Sequence, residues 1–246
     1  MKKIHYSLIV LGVTFFSIIV AGIVRSSSGV FIDPFESEFG WSRPAISFAF
    51  ALSLFLYGFS GPFMAAFVEI FGLKRMMLGS MAVLTIGLSL TFIMQSEWQL
   101  ILIWGVMIGI GSGLFLTVLS TQVANRWFVK RRGLAVGILT AATATGQLIL
   151  LPVLAKLVDE YSWRSAITLI FVLSIIALLV IALFMKSFPR DIGIAPYGQQ
   201  ELEPESKRTS DNPFKMAFQH YSRGFVYRNF GYLLEVFLFV DFQQVD

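Results

Sequence analysis

Long apolar runs separated by short polar breaks dominate the first 185 residues of the chain. Crossing the ~30 Å hydrocarbon core of a bilayer at ~1.5 Å per residue takes about 20 apolar residues in a helix. Six segments reach that length: Leu8–Ile32, Ala45–Val68, Met76–Met94, Leu100–Ala124, Gly133–Val158 and Ala166–Met185. The pattern predicts an all-α membrane protein with six transmembrane helices in residues 1–188. The first run follows Lys2 and Lys3 as a signal peptide would. No small-x-small cleavage site precedes the second run, and the first continues past Arg25 to Phe31, so it is expected to remain a helix.

The pattern changes at residue 189. Residues 189–228 are polar, with Glu201, Glu203, Glu205, Lys207 and Arg208 close together, and are expected to form a flexible linker. Within 229–246 an apolar run begins near Phe230, carries Glu235 and Asp241, and at about 11 residues is half a span. It reads as the start of a seventh helix, incomplete in a truncated chain. The alternative is an amphipathic segment lying on the membrane surface.

Composition agrees with a lipid solvent: 56% of the 246 residues are hydrophobic and 14% charged, which leaves too little polar surface to cover a soluble core. Cysteine is absent, excluding disulfides, thiolate metal sites and cysteine nucleophiles. The net charge of +4 raises nucleic acid as a partner, but the bases sit in the breaks between spans, so membrane topology explains them and no nucleic acid is expected. Breaks 1–2, 3–4 and 5–6 carry three bases, Arg43, Lys156 and Arg164, against 15 on the other side. That asymmetry places the N-terminus and the C-terminal tail in the cytoplasm of a multi-pass cell-membrane protein.

Arg25 is the one formal charge well inside a span. Such a residue costs ~2.5–3.5 kcal/mol on insertion scales, and it either faces a water-filled cavity or snorkels to the headgroups. Facing a cavity, its planar donor fork suits a carboxylate. Asp33, eight residues on, is about two turns away and not an automatic partner. Gln147 is an amide that needs hydrogen bonds, from substrate or from a neighbouring helix. Gln122 and Tyr57 are weaker substrate contacts of the same kind. Pro152 frees a backbone carbonyl and is expected to kink the fifth helix. Gly105, Gly109 and Gly113 form a small-residue stripe on the fourth helix, and Gly133 and Gly137 a second pair on the fifth. Arg126, Lys130, Arg131 and Arg132 read as topological anchors, with headgroup binding as the alternative. His5 and His220 lie outside the spans, which excludes an intramembrane histidine relay. The chain has no H-E-x-x-H, P-loop or paired-carboxylate motif, so neither an enzyme, a metal nor a cofactor is expected.

Between the second and third spans, A-A-F-V-E-I-F-G-L-K-R (Ala65 to Arg75) places Glu69 before a turn glycine, Gly72, and the basic pair Lys74 and Arg75. This hinge, the order of spans and N-R-W-F-V-K-R-R-G-L-A-V-G (Asn125–Gly137) resemble the N-terminal half of a major facilitator superfamily transporter. The last stretch is similar to the monocarboxylate porter branch and its oxalate/formate-antiporter-like relatives, as are Arg25–Arg43 and the S-W-R that opens helix 6 at Ser162–Arg164. The hinge departs from the superfamily's G-x-x-x-D-[RK]-x-G-[RK]-[RK] by Ala65, Glu69, Ile70 and Leu73.

The resemblance implies half of a twelve-helix fold, built as two inverted three-helix repeats, with substrate held between the halves near the midplane. It implies alternating-access transport of a small organic anion, with Arg25, Gln147, Tyr57 and Gln122 as substrate-site candidates. Glu69, Gly72, Lys74 and Arg75 would form the gating hinge, closing against a missing C-terminal half or a second copy of the chain. Two other readings stay open: an inactive transporter fragment, and a half-length interaction protein acting as a homodimer, for which the glycine stripe on helix 4 would permit pairing.

Overall fold

The computed structural model describes residues 5–198; the expected seventh helix, with Glu235 and Asp241, and linker residues 199–228 lie outside the described residues, as does His220. The first run is helical from Tyr6 to Phe39. Its α1 (Tyr6–Ser26) tightens into a 3₁₀ segment (Ser27–Phe31) and resumes as α2 (Ile32–Phe39). The tightening coincides with Ser26, Ser27 and Ser28, where Ser27 Oγ donates to the Val24 carbonyl at 2.9 Å and Ser28 Oγ to that of Arg25 at 3.1 Å. Gly40, at φ +67°, ends the helix seven residues beyond the expected Ile32.

Ser42 caps α3 (Arg43–Phe71), its Oγ accepting from the Ala45 amide, and Pro44 sits in the first turn, where its missing N–H costs nothing. At Gly72, φ +86° turns the chain into α4 (Leu73–Thr91). The fourth run is helical through residues 97–127 but not uniformly. It comprises α5 (Glu97–Leu100), a π segment (Ile101–Ile108), α6 (Gly109–Gly113), a second π segment (Leu114–Val118) and α7 (Leu119–Trp127). Then come α8 (Arg132–Glu160), which runs through Pro152 without a break in the helix, and α9 (Trp163–Phe184). Among the described residues, five helices are long and apolar enough to cross a membrane; the fourth run contributes a shorter apolar helix, Glu97–Gly113.

Three contacts organise the bundle. α1 lies against α8, α3 against the fourth run, and α4 against α9. Exchanging spans one to three for spans four to six maps the first contact onto the second and the third onto itself, as two three-helix repeats require. A repeat of three crossings starts its successor from the opposite face, so the two repeats are inverted. At one end of the bundle, Phe35 is the hub of an aromatic cluster with Phe31, Phe39, Trp41, Trp104 and Trp163.

Residues 189–198 correct the flexible-linker expectation. They form a short 3₁₀ turn (Pro189–Ile192), closed by Gly193 at φ +68°, and then run back to Tyr197, which pairs with Phe128. Ile192, Ile194 and Tyr197 pack on the core, so three apolar side chains anchor what polar composition alone describes as linker.

Candidate functional site

Helical side chains lean toward the N-terminus of their helix, so Arg25, in the last turn of α1, points back into the bundle. Its guanidinium carbon lies 4.7 Å from the centroid of the Tyr57 ring on α3. Nε of Arg25 is buried, and among the described residues it has no hydrogen-bond partner. Nor does any described carboxylate form an ion pair with it; Asp33 instead pairs with Arg43, which also bonds Glu36 at 2.9 Å. The cation is thus held by an aromatic face, with donors left over.

Depth decides which of the other candidates belong with it. Taking ~1.5 Å per residue from the end of the bundle that holds Tyr6, Phe71, Trp127 and Arg132, Arg25 lies about 28 Å up, Gln147 about 22 Å and Tyr57 about 21 Å. Gln122 lies only about 8 Å up, on α7, too deep toward that end to share a site with Arg25. The structure therefore brings Arg25 and Tyr57 together, sets Gln147 at a similar height against the neighbouring Ser26, and leaves Gln122 apart. Gln147 Nε2 donates to Ser26 Oγ at 2.7 Å, a bond between α8 and α1. Ser26 was not singled out in the sequence; nothing in a run of three serines distinguishes the one that faces α8.

Gln147 and Ser26 line an open groove of about 760 Å³ with Gly29, Leu151 and Pro152. It continues, through the shared residues Gly29, Val30 and Ala155, into a second groove of about 570 Å³ lined by Asp33, Glu38 and Asp159. At that mouth Glu38 accepts from Arg164 at 2.6 Å and from the Trp163 indole, clamping α2 to the start of α9.

The hinge lies at the opposite end. Glu69 Oε1 accepts from Arg126 Nη2 at 2.7 Å, and the Arg126 side chain is only 7% exposed. Arg126, read from sequence as an anchor, is thus the partner of the hinge acid across 57 positions. Lys74 Nζ donates to the Ala182 carbonyl at 2.7 Å, placing a cation on the C-terminal turn of α9, while Arg75 is exposed. Bases are concentrated at one end of the bundle. Lys74, Arg75, Arg126, Lys130, Arg131 and Arg132 share the hinge end with Glu69, while Asp33, Glu36, Glu38, Asp159 and Glu160 share the other with Arg43, Lys156 and Arg164.

The glycine stripe is used inside the chain. A Cβ on Gly105 would stand 3.2 Å from the Ala49 carbonyl, and one on Gly109 2.9 Å from that of Ser53. One on Gly113 would strike Ser60 Oγ. The stripe is therefore the contact surface for α3, not a face left for pairing with a second copy. Gly133 and Gly137 meet nothing within 4 Å.

Comparison with known sequences bears on what this geometry serves. The sequence model of the Major Facilitator Superfamily matches residues 14–244. Monocarboxylate transporter 14 of Mus musculus is 30% identical over 159 residues, covering 65% of this chain and 31% of that protein. An MFS-type transporter of Gibberella zeae is 30% identical over 128 residues, covering 52% of this chain and 27% of its own length. Another, from Bacillus subtilis, is 27% identical over 183 residues, 74% of this chain and 43% of that protein. The chain thus spans between 27% and 43% of the length of these curated relatives.

Proposed function

The chain belongs to the Major Facilitator Superfamily, and on that premise we propose that it supplies the N-terminal wall of a secondary transporter for small organic anions of the monocarboxylate or oxalate class. A multi-pass membrane protein of this family works by exposing a midplane site alternately to the two sides of the bilayer. The observation that carries the anion reading is Arg25: a cation held against the Tyr57 ring, beside the groove, with a buried Nε that no described residue satisfies. A carboxylate is the ligand that answers both the charge and the open donors. Gln147, on the groove wall, is placed to bond the same anion by exchanging Ser26 for it. Gln122 has no part in this site.

The excess of bases at the hinge end supports an orientation with that end, the N-terminus and the tail in the cytoplasm of a cell-membrane protein. In that orientation Glu69, Gly72, Lys74 and Arg75 form the cytoplasmic gate. A C-terminal half, or a second copy, is the partner that closes the two-walled site.

Uptake of labelled lactate, pyruvate and oxalate into proteoliposomes tests the reading. Arg25→Ala is expected to abolish uptake and Arg25→Lys to retain part of it. Undiminished uptake by Arg25→Ala rejects the assigned role, and no uptake of any of the three anions by the parent chain rejects a second copy of it as the partner that completes a site of this class.

A further inference from the structure

Residues 187–198 cross the hinge end of the bundle and touch both the turn that follows Glu69 and the Arg126 side chain. At the turn, Ser187 Oγ accepts from the Lys74 amide at 3.2 Å and lies 3.4 Å from where a Cβ on Gly72 would stand. On the arginine side, the Phe188 ring centroid is 4.6 Å from the Arg126 guanidinium carbon and 4.7 Å from that of Arg190. The backbone carrying that ring is fixed in turn, because the Phe188 amide donates to Asp191 Oδ2 at 2.9 Å across the 3₁₀ turn.

Tyr197 then seizes the main chain that follows Arg126. Its amide donates to the Trp127 carbonyl at 2.9 Å, and its carbonyl accepts from the amides of Val129 at 3.0 Å and Lys130 at 3.2 Å. Its ring packs against His5 and Phe128, with centroids 5.5 and 5.8 Å away. Gly198 fits this crossing because it adopts φ +92°, and a Cβ there would stand 2.6 Å from Lys130 Cβ.

We propose that residues 187–198 form a strap that holds Arg126 against Glu69, with Phe188 and Tyr197 as its positioning residues. Phe188 keeps water off one side of a guanidinium whose bond to Glu69 gains strength as its surroundings dry, and Tyr197 fixes the backbone from which that guanidinium projects. Displacement of the strap reaches the pair through these contacts. Its consequence for transport rests on the reading of Glu69 as a gate residue; the clamp itself does not.

The absence of cysteine makes the test clean. In the full chain in nanodiscs, a single cysteine at Ala66, which is 2% exposed and one turn before Glu69, reports local opening by its rate of maleimide labelling. Phe188→Ala and Gly198→Ala are each expected to speed labelling about tenfold, as loss of one shielded cation–ring contact or its backbone anchor would. Phe188→Tyr should restore the parent rate. With Glu69→Gln present, Phe188→Ala should add nothing further. A cysteine at Ala166, fully buried at the other end, controls for unfolding. An unchanged rate at position 66, an equal rise at both positions, or additive effects with Glu69→Gln would overturn the proposal. None of these outcomes depends on uptake, so a failed anion reading and a failed strap are told apart.

Discussion

Gly109→Ala sets two physical effects of opposite sign against each other. Alanine is the better helix former by about 1 kcal/mol, and in an uncrowded helix the change would stabilise. At Gly109 the new methyl would stand 2.9 Å from the Ser53 carbonyl oxygen, 3.0 Å from Ser53 Cα and 3.3 Å from Leu56 Cβ. The two nearest atoms are backbone, so no rotamer change relieves them, and α3 must move off the fourth run. Overpacking of this kind costs ~1–3 kcal/mol, leaving a net destabilisation of about 0–2 kcal/mol after the propensity gain. Gly79→Ala is the counterpart, because its Cβ would meet nothing within 4 Å, and only the propensity term survives there. It should stabilise by about 0.5–1 kcal/mol. Equilibrium unfolding in mixed micelles, followed by fluorescence of Trp104 and its neighbours, measures both variants against the parent. A Gly109→Ala chain stabilised as much as the Gly79→Ala chain would refute the close approach of α3 to the fourth run.

Glu69→Gln should destabilise the chain by about 2 kcal/mol, less than the ~3–5 of a fully buried pair because Glu69 is 29% exposed. The same unfolding measurement reads it, and a charge-swapped double variant at positions 69 and 126 should recover part of the loss. No change with Glu69→Gln would mean that the 2.7 Å bond contributes nothing. Gln147→Leu deletes the bond to Ser26 Oγ and should cost about 0.6–1.5 kcal/mol, in keeping with interhelical hydrogen bonds in membranes. A neutral result there would mean that the amide is held for a ligand and not for packing.

Much of the fold is legible in the sequence because the properties that set it are one-dimensional. Apolar length against bilayer thickness gives the spans, and the count of bases in alternate breaks gives an expected orientation, without knowledge of any contact. Helix ends shifted where local chemistry outweighed hydropathy. The helix from Tyr6 runs past Ile32 to Phe39, with Pro34 tolerated in the first turn of α2 and Gly40 ending it at φ +67°. The π segments at Ile101–Ile108 and Leu114–Val118 left no mark in the hydropathy, since the same apolar residues serve α and π helices alike.

The site was half legible. Arg25 stands out by its cost in a membrane, and Glu69 by its place in a hinge pattern, so a single position suffices to raise each. Their partners are another matter. Each residue turns a helix by about 100°, so whether Tyr57 faces Arg25, or Gln147 faces Ser26, depends on rotation and depth that only packing fixes. Gln122 is an amide like Gln147, and its depth alone sets it apart from Arg25. Arg126 looks like any other base in its loop until folding brings Glu69, 57 positions earlier, within 2.7 Å of it. The sequence by itself determined where the apolar helices lie among the described residues and which end of them is basic, because lipid and charge act on each residue independently. Which residues meet, and what holds Arg126 in place, was decided by tertiary structure, because a pair exists only when two helices share a height and a facing side.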